Sequence, residues 1–577
     1  MAKRRKQHNG AKPQQKTKLE KVGLVDTGRT LGEIRKAMKL GQRYAEKGEW
    51  ADAVKHLLIA WDAMPEDLSI LTVLSHALVQ LGVREHAIAV LQRALEVHEP
   101  TPELIGIILR LALEMGMHDI AVKLGEQLVV MEPTNPTNIV NLATAYSGVK
   151  RFSESIAMLQ QALPQFPDNA DLWNVLATQV RERDGVDSAD VFFEEALKLR
   201  PGDAKILSNF SISFTRRNEV DRALELALKS IEADPSQPEP RVGAAQFQFL
   251  KGQMEEGWEN YEYRHHIRRK SNQTQHYTHK LPLWDGEDLS GKALLVAAEQ
   301  GIGDEVMWGS YLPYLYDQAD KLFIGCDPRL ISIYQRRFPD AIVCGYLDRV
   351  ISGYRYRVFP AIEKMMKEGE AHIDFYTPVA SAPKHAWQSM EAVKPYPEGY
   401  LSPEEGKKQE FALRLGAISD KPKVGLAWRS GVVATERAYL YSGIDNLGPL
   451  LALKDKVDFV NLQYGDVADE LDEIERKHGA RVHNFEDVNL KADIEANLAI
   501  AAGCDAVVSV CSAPGIFSMS VGTATLLMSG APPWWSFGSP NKIPFAQHAE
   551  LFSCKGMPDW ADIMNRVAAR VEELTQG

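Results

Sequence analysis

Residues 171–201 read DLWNVLATQVRERDGVDSADVFFEEALKLRP. Trp173, Leu176 and Ala177 fall in the first stretch, Ala189, Phe193 and Ala196 in the second, and Pro201 closes the unit. The same spacing extends outward in both directions. Pro133, Pro167, Pro201 and Pro235 lie 34 residues apart, and Ala53, Ala87, Ala121, Ala189 and Ala223 keep the same lattice. So do Ala60, Ala94, Ala162 and Ala196. A period of this length marks a pair of antiparallel helices repeated along the chain. The small residue sits where helices cross closely, and the proline stops the second helix. Stacked pairs of this kind form a superhelix with a long concave surface, which points to binding rather than catalysis.

Other units support the register. The first gives Leu40-Gly41, Tyr44, Ala53, Leu57, Ala60 and Pro65, and the fourth gives Leu142-Ala143, Tyr146, Leu159, Ala162 and Pro167. These offsets resemble the tetratricopeptide pattern. Six units run from about 34 to 237, and a degenerate seventh carries Gly257-Trp258 and Tyr261. The expectation is an α-solenoid over 34–271, with the seventh unit as its cap. Only Asn141 and Asn209 occupy the sixth repeat position, against Lys39, Val73, Ile107 and Val175, so no asparagine ladder lines the inner helices. An apolar groove for a partner helix is at least as good a reading. The unbroken register also predicts that a fragment ending near Lys270 is soluble and all-helical.

Composition sets the limits. The chain has 577 residues, 45% hydrophobic and 25% charged, with a net charge of −12. That suits several soluble domains and gives no support for nucleic-acid binding. Residues 1–33 are basic and polar and read as a disordered tail without the apolar core of a signal peptide. No run approaches the roughly 18 apolar residues that span a bilayer, so no membrane partner is expected. Cys326, Cys344, Cys504, Cys511 and Cys554 are odd in number and widely spaced, which points to a reducing cytoplasm and away from disulfides or structural zinc. Arg264 to Lys280 holds four histidines without ligand spacing. It reads as a connection, with the linker proper at 272–284.

After Trp284 the periodicity changes. Ala293–Ala298 is a short apolar run followed by Glu299-Gln300-Gly301-Ile302-Gly303-Asp304 and a helical stretch. Such a strand–glycine turn–helix lets a ligand approach the backbone. Further strands are expected around 322–324, 341–344 and 373–376, giving one α/β domain at 285–395. A second, 396–577, has strands at 424–428, 457–462, 506–510 and 524–528. The first three run into Arg429-Ser430-Gly431, Gln463-Tyr464-Gly465 and Cys511-Ser512-Ala513. Open α/β sheets bind ligands at such carboxyl-end loops, and two sheets in tandem leave a cleft.

The runs GWENYEYR, LPLWDGEDLSGKALLVAAEQGIGDEVMW, VGLAWRSG, VNLQYGD and NLAIAAGCDAVVSVCSAPGIFSMSVGTAT resemble bacterial proteins that join tetratricopeptide repeats to a GT-B glycosyltransferase. That transferase half is related to the heptosyltransferases, and the architecture is similar to flagellin-modifying transferases. The resemblance implies two Rossmann-like domains and a protein O-glycosyltransferase. Its repeats, 34–271, would hold a protein acceptor such as flagellin, and a nucleotide-sugar donor would sit in the cleft without a metal or other cofactor. It implies Asp304 as general base for the acceptor hydroxyl; as a capping residue, Asp304 would only hold the following helix. It implies Arg429 as a neutralising group for the donor phosphates, against a surface ion pair. Gly301, Gly303, Ser430, Gln463, Ser512 and Ala513 complete the expected nucleotide-sugar contacts. Related loops read Asp-Thr-Ala followed by a histidine, where this chain has Cys511-Ser512-Ala513 and Ile516. That departure supports an alternative, a repeat scaffold whose GT-B half binds without catalysing. A lipid or saccharide acceptor suits so long a solenoid less well.

Overall fold

The computed structural model describes residues 31–64, 67–97, 99–266, 269, 275–351, 354–396, 398–430, 440–554, 556 and 558–576. Residues 1–30 of the basic tail, Pro65, the 270–274 junction and Gly431 lie outside the described residues. The chain divides into two compact units, one ending at Gln179 and including Ile351–Tyr354, the other comprising Val180–Val350 and Arg355–Gly577. That division falls inside the solenoid, not at the 272–284 linker.

The first unit is helical. Its pairs begin with Leu31–Glu46 and Trp50–Ala63 and continue to Pro136–Gly148 and Phe152–Ala162. The lattice residues Ala53, Ala87 and Ala121 are completely buried, as is Ser155 in the fourth unit. A methyl or hydroxymethyl is the largest group that such close crossings admit. A second lattice lies two residues beyond the proline positions, with Glu99 standing in for proline before Thr101. Side chains of Asp67, Thr101 and Asn135 accept from backbone N–H groups of the inner helices, and Asn169 and Asp203 do the same. Each supplies an acceptor to an otherwise orphaned donor. The inner face of the second to fourth units encloses a cavity of about 260 Å³ lined by Thr72, Glu103, Arg110, Asn138 and Asn141 among others. That stretch of the groove is more polar than apolar.

The second unit starts with the last helix pairs, ending in Pro238–Leu250 and Met254–Tyr261, and continues into three sheets. One is parallel, in the order β4-β3-β2-β7, from β2 (Ala293–Ala297), β3 (Lys321–Cys326), β4 (Ile342–Gly345) and β7 (Phe375–Pro378). A small sheet, β1-β6-β5, adds β1 (His276–Tyr277), β5 (Leu347–Ile351) and β6 (Tyr354–Val358). The largest runs β10-β9-β8-β11-β12-β14-β13. Its strands are β8 (Lys423–Ala427), β9 (Asp458–Asn461), β10 (Val482–His483), β11 (Ala506–Val510), β12 (Thr525–Ser529), β13 (Lys542–Ile543) and β14 (Ala546–Ser553). All its pairs are parallel except β13 with β14. β2 and β11 are buried at every position, as strands covered on both faces must be. The C-terminal helix Trp560–Thr575 covers one face of the largest sheet through Ile563, Met564, Val567 and Val571.

One aromatic core joins these parts. Phe249, Trp258 and Tyr261 from the last helix pair pack with Trp308 and Trp387, and with Trp534, Phe537 and Phe545. Trp258 is fully buried, and its Nε1 donates to the Trp387 carbonyl at 2.8 Å. Gly538 comes so close to the end of the Pro238–Leu250 helix that a Cβ would lie 2.3 Å from the Leu250 carbonyl oxygen. The seventh unit therefore carries a buried aromatic face shared with the sheets, while Glu255, Glu256 and Glu259 stay exposed. A fragment cut near Lys270 would bare this aromatic face, contrary to the expectation of a freely soluble repeat half.

Candidate functional site

In both parallel sheets the strand order reverses, and the predicted site residues leave the sheets at those points. In the first sheet, β2 pairs with β3 on one side and β7 on the other, so the Glu299–Asp304 turn stands at the crevice. In the second, Ser509 pairs with Ala427, so the loops after β8 and β11 emerge side by side. Open α/β sheets place ligands at such switch points.

The turn after β2 is strained and heavily braced. Gln300 has φ +57°, a left-handed conformation that costs a non-glycine residue roughly 1–3 kcal/mol. Its N–H donates to Gln275 Oε1 at 2.8 Å, and its carbonyl accepts from Arg357 Nη2 at 2.6 Å. Its amide Nε2 donates to the Tyr261 hydroxyl at 3.1 Å. Beneath it Arg264 grips Glu299 through two bonds of 2.8 Å. Arg264 also donates to Glu262 at 2.8 Å and to Ser381 Oγ at 2.6 Å. Arg264 and Glu299 are 3% and 1% exposed. Burial alone would push the Glu299 carboxyl up, but the Arg264 guanidinium, with His265, holds it well below the usual carboxylate range. Arg264 lies at the end of GWENYEYR, where the sequence reads as the start of a connection. The signal for a buried pair is a charged residue close to Trp258 and Tyr261, in a segment otherwise made for burial.

Asp304 follows at the third position of the Ile302–Trp308 helix, and its Oδ2 accepts from the Gly301 N–H at 3.2 Å. The capping geometry is thus present. Gly303 faces the Ala513–Ser520 helix, where a Cβ would lie 3.3 Å from both Cα and Cβ of Ala513. Glycine at 303 eases the close approach of the two switch-point turns. Ser512 precedes that helix with extended backbone, and its buried Oγ has no hydrogen-bond partner among the described residues.

Arg429 and Gln463 are committed elsewhere. Gln463 is 1% exposed, and its Oε1 accepts from the backbone N–H of Trp428 at 3.1 Å and of Arg429 at 2.9 Å. It joins the ends of β8 and β9 instead of facing a ligand. The Arg429 guanidinium chelates Glu470 at 2.6–3.0 Å and donates to the Asp466 carbonyl at 3.0 Å. Of the two readings weighed for Arg429, the ion pair is the one present.

A cavity of about 350 Å³ opens beside these turns. Asp304 and Cys511 line it from the two switch points, Tyr441 and Trp534 from the second sheet's loops, and Gln246 and Asn218 from the last repeats. Of the expected site residues only Asp304 reaches this wall; Gly301, Gly303, Arg429, Ser430, Gln463, Ser512 and Ala513 do not. Arg264 and Arg269 do. Burial pushes the Cys511 thiol up to about 12, so it is neutral and no nucleophile. Burial lowers the Arg269 guanidinium from its ordinary value. Among the described residues no group of three or more His, Cys, Asp or Glu is placed to hold a metal ion, and no helix is long and apolar enough to cross a membrane.

Residues 112–178 match the tetratricopeptide repeat family. The repeats of the helical region are tetratricopeptide repeats. Across nearly its whole length the chain is similar to Protein FlbA of Caulobacter vibrioides, with 28% identity over 557 residues, 94% of this chain and 88% of that protein. Among solved structures, a thermophilic tetratricopeptide protein of Thermus thermophilus matches 31% of this chain and 98% of its own, at 22% identity and a TM-score of 0.29. A tetratricopeptide repeat protein of Parabacteroides merdae matches 40% and 91%, at 14% identity and a TM-score of 0.33.

Proposed function

We propose that the protein is a protein O-glycosyltransferase of GT-B type. It transfers a sugar from a nucleotide-sugar to a Ser or Thr hydroxyl of an acceptor recruited by the repeats, with flagellin the acceptor that the family resemblance suggests. The observation that carries this reading is the position of Asp304. It stands at the switch point of one parallel sheet, on the wall of a cavity that the switch-point loop of the second sheet also lines. In the reaction, Asp304 takes the acceptor hydroxyl proton and the oxygen attacks the anomeric carbon. The bond from that carbon to the phosphate oxygen breaks, and its electron pair leaves with the nucleotide. Ser512 Oγ and the first N–H groups of the Ala513–Ser520 helix, which stand off the cavity wall, would have to be uncovered to receive the departing phosphate. Arg429 would have to exchange Glu470 for phosphate to assist.

Mass spectrometry of flagellin from a deletion strain tests the reading. A glycan mass lost from flagellin supports it, and an unchanged mass removes flagellin as the acceptor. The second reading, a repeat adaptor with a non-transferring GT-B half, draws on Arg429 being held by Glu470 and on Ile516 being buried where relatives place a histidine. Absence of binding by any nucleotide-sugar in calorimetry favours it.

A further inference from the structure

The cavity beside Asp304 has one wall that a sugar-transfer site does not need. The last two repeat units supply it, from Thr215 and Asn218 at one helix turn to Val242, Gln246 and Phe247 on the Pro238–Leu250 helix. This wall is fixed, because the same helix is locked by Phe249 against Trp534 at a ring separation of 5.5 Å and by Gly538 against its end. Gln246 is half-buried and lines the cavity. Its amide can present both a donor and an acceptor there. Trp534 also lines the cavity, half-buried and stacked on Trp308 at 5.7 Å, a rigid apolar surface.

The cavity holds about 350 Å³, room for a short stretch of chain. A helix satisfies its own backbone, whereas an extended backbone carries unsatisfied N–H and C=O groups, which the Gln246 carboxamide can pair.

We propose that this cavity is the acceptor subsite, which takes an extended polypeptide segment. The Gln246 amide bonds its backbone, Trp534 packs a neighbouring side chain, and its hydroxyl points at Asp304. The proposal rests on the transferase reading and narrows its substrate: the modified Ser or Thr lies in a locally extended stretch, and the repeats hold it directly at the reacting position.

The test uses the full chain with purified flagellin and a nucleotide-sugar donor. Gln246→Trp fills the cavity and Gln246→Ala removes the amide. Both should raise KM for flagellin, Gln246→Ala by about tenfold for one or two lost hydrogen bonds, while donor affinity in calorimetry stays at the parent value. A photo-crosslinking residue placed at Gln246 should capture a flagellin peptide containing the modified residue, an outcome that needs no turnover. If the parent transfers sugar but both variants keep the parent KM, the subsite is wrong and the transferase reading stands. If the variants lose donor affinity instead, the cavity is a donor site. If the parent transfers nothing, the transferase reading falls; a captured flagellin peptide would still support the cavity as a peptide site, and no capture would overturn that as well.

Discussion

At the scale of single residues, Asp304 and Glu305 are neighbours with opposite surroundings. Asp304 faces the cavity, and Asp304→Asn should keep donor binding while lowering transfer by about 10²–10⁴-fold. Calorimetry with turnover assays checks this, and near-parent turnover would return Asp304 to its capping role. Glu305 points inward, is 2% exposed, and accepts the Asp327 N–H at 3.0 and 3.2 Å. Burial pushes its carboxyl up to about 8, against 4.5 for the free group. A raised folded value means that the native state binds this proton more tightly than the unfolded chain does. The associated stability is complete below about pH 4.5 and is lost as pH rises through about 8. Glu305→Gln should therefore melt at a nearly constant temperature between pH 6 and 9, where the parent's melting temperature falls. Parallel thermal melts across that range decide the point.

At the scale of elements, two devices hold the architecture in place. The first is the lattice of helix caps. Asp203 accepts from the N–H groups of Lys205 and Ile206 at 3.0 and 3.1 Å, and Asp203→Ala should cost about 1 kcal/mol in denaturant unfolding. The second is the clasp between the last repeat helix and the turn after β2. Removing the guanidinium in Arg264→Met strands the Glu299 carboxylate in the interior, and loss of one partner of a buried pair costs about 3–5 kcal/mol. Arg264→Lys keeps the charge but not the two-pronged grip, so it should recover only part of that loss. Equal unfolding midpoints for both variants and the parent would show that the clasp carries no stability. The turn itself needs this support, since Gln300 holds a conformation that glycine adopts far more readily.

At the scale of the whole molecule, the last repeat pair belongs with the sheets. A fragment ending near residue 270 should bind a hydrophobic dye and self-associate in size-exclusion chromatography, because Phe249, Trp258 and Tyr261 lose their cover. A monomeric, dye-negative fragment would contradict the shared core. The sequence alone determined much else. The 34-residue period specified helix pairs, because a helix face repeats locally and needs no distant partner to be legible. Apolar runs marked every strand of the two large sheets except β10, β13 and β14, most clearly β2, β8, β11 and β12, whose positions are all buried and which carry that burial in their own composition. The edge strands β10 and β13 are only two residues long, too short for any such pattern, and β14 is exposed near its start and buried mainly towards its end. Loops after those strands were legible as site candidates for the same topological reason, and Asp304 was among them. The tertiary structure decided what no local pattern encodes. It gave Arg429 to Glu470, 41 positions away, and turned Gln463 inward to hold two loops. It brought Arg264 under the glycine turn, and it set Gln246 and Trp534 in the lining of one cavity. A sequence states which face of an element is apolar or charged; which distant segment covers that face depends on how the chain returns, and here that return built the site.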